Sequence, residues 1–173
     1  MEEDLEEQIA KSMEEFQKVK TIEQVWEIED QNNFVAHMSL YIDEKCEYGD
    51  KIGKLNKKEK VIFITKNLED EVYNGGFLQF FYNSSGIFSN QLVKAFQEIG
   101  ATYTADICQK AVKALKRRLP KNEERREKLL DKIVDKDIEN ILSECDDMFY
   151  EEKEDLVQLN YEYIMKNKSY FIK

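Results

Sequence analysis

The sequence is poor in chain breakers and in the side chains most chemistry needs. It has one proline, Pro120, and six glycines, all between Gly49 and Gly100. Residues 1–48 and 121–173 therefore contain neither breaker, and no Asn-Gly flanked by alternating apolar residues suggests a hairpin. His37 is the only histidine. Its isolation removes two-histidine metal sites and weakens most histidine-based triads. The three cysteines, Cys46, Cys108 and Cys145, are far apart, with no pair at metal-ligand or redox spacing. Buried reduced thiols are the expectation. There is no Gly-x-Gly-x-x-Gly, no Gly-x-x-x-x-Gly-Lys and no Asp-rich loop at calcium spacing, so no phosphate cradle, metal or cofactor is expected. No apolar run approaches the ~18 residues of a membrane span. Met1-Glu2-Glu3-Asp4 is acidic and lacks the basic start of a signal peptide. The expectation is a cytoplasmic protein that is not an enzyme.

What is present is charge, in blocks. Asp and Glu total 36 against 26 Lys and Arg, for a net charge of −10. Direct nucleic-acid binding and an anionic membrane surface are both disfavoured. Apolar residues make up 42% and aromatics 12%, too much for a disordered chain. Residues 1–50 carry 15 acids and 4 lysines, and residues 131–155 carry 11 acids and 3 lysines. Between them, residues 51–66 hold 6 lysines and 1 glutamate, and residues 110–128 hold 9 bases and 3 acids. Such blocks either pair inside the fold or form a bipolar surface.

Apolar residues recur at helical spacing in both breaker-free stretches. Val134, Ile138, Ile141, Leu142, Cys145, Met148 and Phe149 fall on one stripe, and Leu156, Leu159, Tyr163 and Ile164 continue the pattern. This predicts an all-α, single-domain bundle of about seven or eight helices. Residues 1–19 form an acidic N-terminal helix at its periphery, and 20–173 the helical body. Thr21 with Gln24 reads as a capping box, Asn56 as the cap of a helix stopping at Asn74-Gly75-Gly76, and Asn122 as the opening of the last section. Ser89 or Asn90 is expected to cap the helix ending at Gly100, and Thr102 or Thr104 the one after it. Residues 131–150 read as one helix. On it Asp135, Glu139 and Asp146 share a face away from the apolar stripe, the first two ~6 Å apart along the axis. With the neighbouring Asp147 they are the candidate partner-binding acids.

The segment from Glu71 to Gly86 is the most unusual. Gly75-Gly76 precede Phe77, Phe80, Phe81 and Tyr82, with Gln79 between them and Asn83 closing the run. One reading is a helix–helix corner, in which Asn74, Gln79 and Asn83 bond the local backbone. The other is a small polar ligand site, in which those amides converge beside aromatic walls. The corner is the expected outcome.

The same segment carries a resemblance. Asn-Gly-Gly-Phe, then Gln-Phe-Phe-x-Asn-Ser-Ser-Gly, then Ala95-x-x-x-Ile99-Gly100-Ala101 resembles the DMP-type DNA-mimic protein family. Asp146-Asp147-Met148-Phe149-Tyr150, Glu154-Asp155-Leu156, Tyr163-Ile164, Asn167 and Phe171 extend it. The resemblance implies an all-helical, non-enzymatic acidic protein, often a homodimer. Its partner would be a basic DNA-binding regulator, met by carboxylates standing where phosphates would be. An immunity-like inhibitor of a basic toxin or enzyme would use the same physics on a different target.

Overall fold

The computed structural model describes residues 21–172. The expected helix within residues 1–19, and the division of the chain at that point, lie outside them. Eight α-helices run through the described residues, and none of these residues is in a strand. They are α1 (Ile22–Trp26), α2 (Gln31–Lys45), α3 (Lys57–Tyr82), α4 (Leu92–Ile99), α5 (Thr102–Ala114), α6 (Glu123–Ile133), α7 (Lys136–Tyr150) and α8 (Leu156–Lys166). Short 3₁₀ turns occupy Ile52–Lys54, Ser84–Gln91 and Lys168–Tyr170.

Helix α3 is the centre of the fold. It packs against α2, α4, α6, α7 and the Ser84–Gln91 turn, while α5 bridges α4 and α7, and α8 lies on α2 and α4. Five consecutive residues, Val61 to Thr65, are buried, as expected for a helix covered on several sides. Thr65 donates to the Asn160 side chain of α8 at 3.0 Å, and Asn160 donates back to Leu156 O at 2.8 Å. Both polar groups are thereby satisfied deep in the core. His37 is buried on α2, and burial lowers its pKa. The three cysteines are reduced and buried. Burial, opposed by Lys110 and reinforced by Asp146 and Glu144, pushes the Cys145 thiol up to about 11.

Most helix starts follow the local signals. Thr21 and Gln24 form a capping box, as do Asn56 and Glu59. Asp30, Asn122, Asp135 and Asp155 each accept a backbone N–H of the first turn they precede. Two expectations need correction. Neither Ser89 nor Asn90 caps α4: both lie in the 3₁₀ turn, and Gln91 precedes the helix without a side-chain cap. Neither Thr102 nor Thr104 caps α5. The Glu154 carboxylate, arriving from the α7–α8 loop, accepts the N–H groups of Tyr103 and Thr104 at 2.9 Å each and the Thr104 hydroxyl at 2.8 Å. A tertiary carboxylate thus stands where a local hydroxyl was expected.

Candidate functional site

The glycine–aromatic segment bends α3. Gly76 has φ +84° and ψ 178°, a conformation open essentially to glycine alone. After the bend, Phe77 to Tyr82 resume the helix with Phe77, Phe80 and Phe81 fully buried. The restarted helix has unpaired N–H groups at its beginning. Asp146 of α7 supplies the acceptor: its Oδ1 takes the Phe77 N–H at 2.7 Å. A Cβ on Gly76 would sit 2.5 Å from Asp146 Oδ2, so the absent side chain is what admits this carboxylate.

The corner's amides do not bond the local backbone as expected. Gln79 Nε2 and Asn83 Nδ2 each donate to Glu71 Oε2 at 2.8 Å, and Ser85 Oγ donates to Oε1 at 2.9 Å. One carboxylate, one helical stretch earlier, collects all three. Asn74 and Gly75 are exposed. The four principal clefts of the described residues are lined by other side chains than Asn74, Gln79 and Asn83. At the far end, the fully buried Arg126 of α6 donates from Nε to Phe81 O at 3.0 Å and from an Nη to Asn83 O at 2.6 Å. It thereby satisfies carbonyls that the helix end leaves open. Gly86 lets the guanidinium approach, since a Cβ there would meet Phe81 O and lie 2.8 Å from Arg126 Nε. Burial lowers the Arg126 pKa, with Glu123 and Glu127 opposing. Every polar group that drew notice in this segment, Asn74 aside, holds the bend together.

The acids divide into two kinds. The stretch 131–150 is not one helix; it breaks at Val134, and Asp135 caps α7 by accepting Ile138 N–H at 2.9 Å. Asp146 is half-buried and occupied at Phe77; burial raises its pKa, the Phe77 N–H opposes, and Asp147 adds to the rise. Glu139 and Asp147 are exposed. Of the three acids expected to share an open face, Asp135 is exposed but caps α7, Glu139 is exposed, and Asp146 is turned into the fold.

Sequence reasoning missed what joins this face to α6. Tyr82, at the end of α3, donates to Asp131 Oδ1 at 2.9 Å. Burial first, then this bond and the charges of Asp131, Glu127 and Glu139, push its phenol up to about 12. Carboxylates of both α6 and α7 thus act on one tyrosine, with Asp131 alone in contact with it. Further along α7, burial and the charges of Asp146 and Asp147 raise Tyr150, whose hydroxyl donates to Val72 O at 2.7 Å. Asp131 thus touches Tyr82, Glu127 and Glu139 act on the same phenol through space, and Asp147 acts likewise on Tyr150. Glu139 and Asp147, eight residues apart, are separated by ~12 Å along α7.

The basic blocks are partly consumed by pairing. Lys51 and Lys54 both meet Glu47, at 2.7 and 2.8 Å, and Lys110 meets Glu144 at 2.9 Å. Lys45 meets the buried Glu59 at 2.6 Å. No group of His, Cys, Asp and Glu able to hold a metal ion occurs among the described residues, and no helix among them is long and apolar enough to cross a membrane.

Searches of curated proteins and of solved structures returned no match. A family model described as DMP19-like protein matches residues 53–167, well over half of the chain, from the turn before α3 to the end of α8. This span includes the bent helix, its Asp146 and Arg126 supports and the acidic α6–α7 face, and the chain belongs to the DMP19-like protein family.

Proposed function

We propose that the chain is a non-enzymatic binding protein whose α6–α7 face engages a basic protein surface, that of a DNA-binding regulator, in place of DNA. The observation that carries this reading is the Tyr82–Asp131 bond at 2.9 Å, with Glu127 of α6 and Glu139 of α7 acting on the same phenol through space. Glu127 also favours the buried Arg126 charge and Glu139 meets Lys136 at 3.4 Å, so what this face offers a partner is exposed carboxylate on a chain of net charge −10. A DNA-binding face is built to meet spaced negative charges. Glu127, Glu139 and Asp147 are exposed and tied to no helix cap, so they are available to a partner in a way that Asp146 and Glu154 are not.

The test has two stages. Immobilised protein captures partners from the native cell extract at low and at high salt, and duplex DNA carrying the captured protein's site is then added as competitor. The expected result is a DNA-binding protein held at low salt and displaced by its own DNA. A Glu127→Lys, Glu139→Lys, Asp147→Lys variant should then associate roughly tenfold more slowly while keeping its helical spectrum, because rim charges act mainly on the association rate. A partner that binds DNA and this chain together would refute mimicry. Unchanged association of the variant would move the interface elsewhere.

A further inference from the structure

A cleft of about 440 Å³ lies on another part of the molecule, where α3, α5 and the α7–α8 loop meet. Its walls include Tyr73, Tyr103 and Phe149, with Glu69, Glu152 and Lys153 among the charged residues around it. That volume falls within the range of small-ligand sites. Tyr73 and Phe149 meet edge to face at 5.7 Å. The floor is fixed, because Glu154 caps α5 and Asp155 caps α8. Those two carboxylates are therefore occupied.

Glu69 and Glu152 are not balanced in this way. Lys66 contacts Glu69 Oε1 at 2.9 Å, but the buried Oε2 accepts no hydrogen bond. Burial raises the Glu69 pKa, Lys66 opposes, and Asp70 and Glu152 add to the rise. Glu152 accepts the Tyr73 hydroxyl at 2.6 Å. Two carboxylates and a phenol thus lie within each other's field beside an aromatic wall. The rim already holds a cation: Lys153 Nζ sits 4.7 Å from the Tyr103 ring centre, paired with Glu151. The same ammonium donates to the Tyr103 hydroxyl at 3.1 Å, so the cation is held at the phenol end of this ring.

We infer that this cleft binds an organic cation, an alkylguanidinium or alkylammonium group, with its charge between Glu69 and Glu152 and its alkyl part against Tyr73, Tyr103 and Phe149. An anion would be repelled by the acidic lining. A neutral apolar ligand would cover the Glu152 carboxylate without supplying a counter-charge, which is costly. A bare metal ion would need a ligand cluster, and none occurs among the described residues. The inference does not rest on the α6–α7 reading, since the cleft uses neither Glu127, Glu139 nor Asp147.

The chemistry has two sources, a free amine or a basic side chain of a protein, and the probes separate them. The full chain is titrated calorimetrically at low ionic strength with agmatine, and separately with the blocked peptide acetyl-Gly-Arg-Gly-amide. One-site saturable binding of agmatine is expected, weakened roughly tenfold, about 1.4 kcal/mol, in Glu152→Gln. Glu69→Gln should weaken it at least as much. Tighter binding of agmatine than of the peptide assigns the cleft to a free amine, and the reverse assigns it to a protein side chain. Glu152 is exposed, so its variant remains informative should Glu69→Gln fail to fold. Absence of saturable binding by either probe, or binding unaltered in Glu152→Gln, overturns the inference.

Discussion

At the scale of single residues, the two adjacent glycines are not equivalent. Alanine at Gly76 must adopt a positive φ and must also push away the Asp146 carboxylate that caps the restarted helix. Backbone strain of ~1–3 kcal/mol and the loss of a cap worth about 1 kcal/mol act together. Alanine at Gly75 has an ordinary extended φ and displaces the Gln79 side chain, whose bond to Glu71 is the contact it would give up. Urea unfolding should therefore place Gly76→Ala well below Gly75→Ala in stability; equal costs would remove Asp146 from its capping role. Arg126 makes a second residue-scale prediction. Lysine cannot fork between Phe81 O and Asn83 O, so Arg126→Lys should destabilise the fold by on the order of 2 kcal/mol or more, as buried carbonyls lose their donor. Asp43 makes a third. Burial first, then the charge of Asp70, raises its carboxyl to about 7, with Lys66 opposing. The native state therefore holds this proton more tightly than the unfolded chain. That contribution to stability is present below the unfolded pKa near 4 and is lost as pH rises through about 7. Asp43→Asn should accordingly gain stability relative to the parent as pH rises from 5 to 8, by paired urea titrations; a constant difference would mean that Asp43 titrates normally.

At the scale of elements, the helices were legible where their signals are local. Thr21 with Gln24, Asn56 with Glu59, and Asn122 each lie within three residues of what they cap, so spacing alone locates them. Of the caps that sequence reasoning missed, Asp30, Asp135 and Asp155 are local, while two are supplied from elsewhere in the chain. Glu154 reaches α5 across 51 residues at Tyr103, and Asp146 reaches Phe77 across 69. No periodicity encodes such a meeting. The break between α6 and α7 was missed for a different reason: neither Gly nor Pro marks it, and Asp135 reads equally well as a helical surface acid. Glu154 offers the test of a tertiary cap. Burial would raise its pKa, but the N–H groups of Thr104 and Tyr103 and the Thr104 hydroxyl outweigh burial and hold it below the usual value. Its contribution is present above the unfolded pKa and is lost as pH falls through the lowered folded one. Glu154→Ala should cost about 1–2 kcal/mol at neutral pH, and the difference from the parent should shrink towards acid pH. A difference that stays constant down to acid pH would show that the side chain contributes packing and not charge.

At the scale of the whole molecule, charge arrangement decides between a solvated surface and a functional one. The acidic and basic blocks are plain in the sequence, but their pairing is not, because Lys110 with Glu144 or Lys45 with Glu59 depends on which helices meet. The same limit hid the candidate site. Glu139 and Asp147 could be read from helical spacing, whereas Glu127 and Asp131 join them only because α6 folds back to Tyr82. Opposing pairs at the surface contribute little, ~0–1 kcal/mol each, while a net charge of −10 works against the compact state. A carboxylate kept for the fold and one kept for a partner then differ in sign when neutralised. Glu127→Gln, Glu139→Gln, Asp147→Asn removes three negative charges from the α6–α7 face and leaves the caps, the Asp131–Tyr82 bond and the Asp146–Phe77 bond intact, giving up only the surface Lys136–Glu139 pair and the attraction of Glu127 for Arg126. Repulsion relieved across that face should raise the urea midpoint at low salt, by a few tenths to about 1 kcal/mol. The gain should fade towards 0.15 M salt, where the screening length is about 8 Å. The same variant should associate more slowly with any partner of the α6–α7 face. Higher stability with slower association identifies a surface maintained at the expense of the fold for the sake of binding. A variant less stable than the parent at low salt would instead mean that these three acids serve the fold, and the acidic-face reading would lose its support.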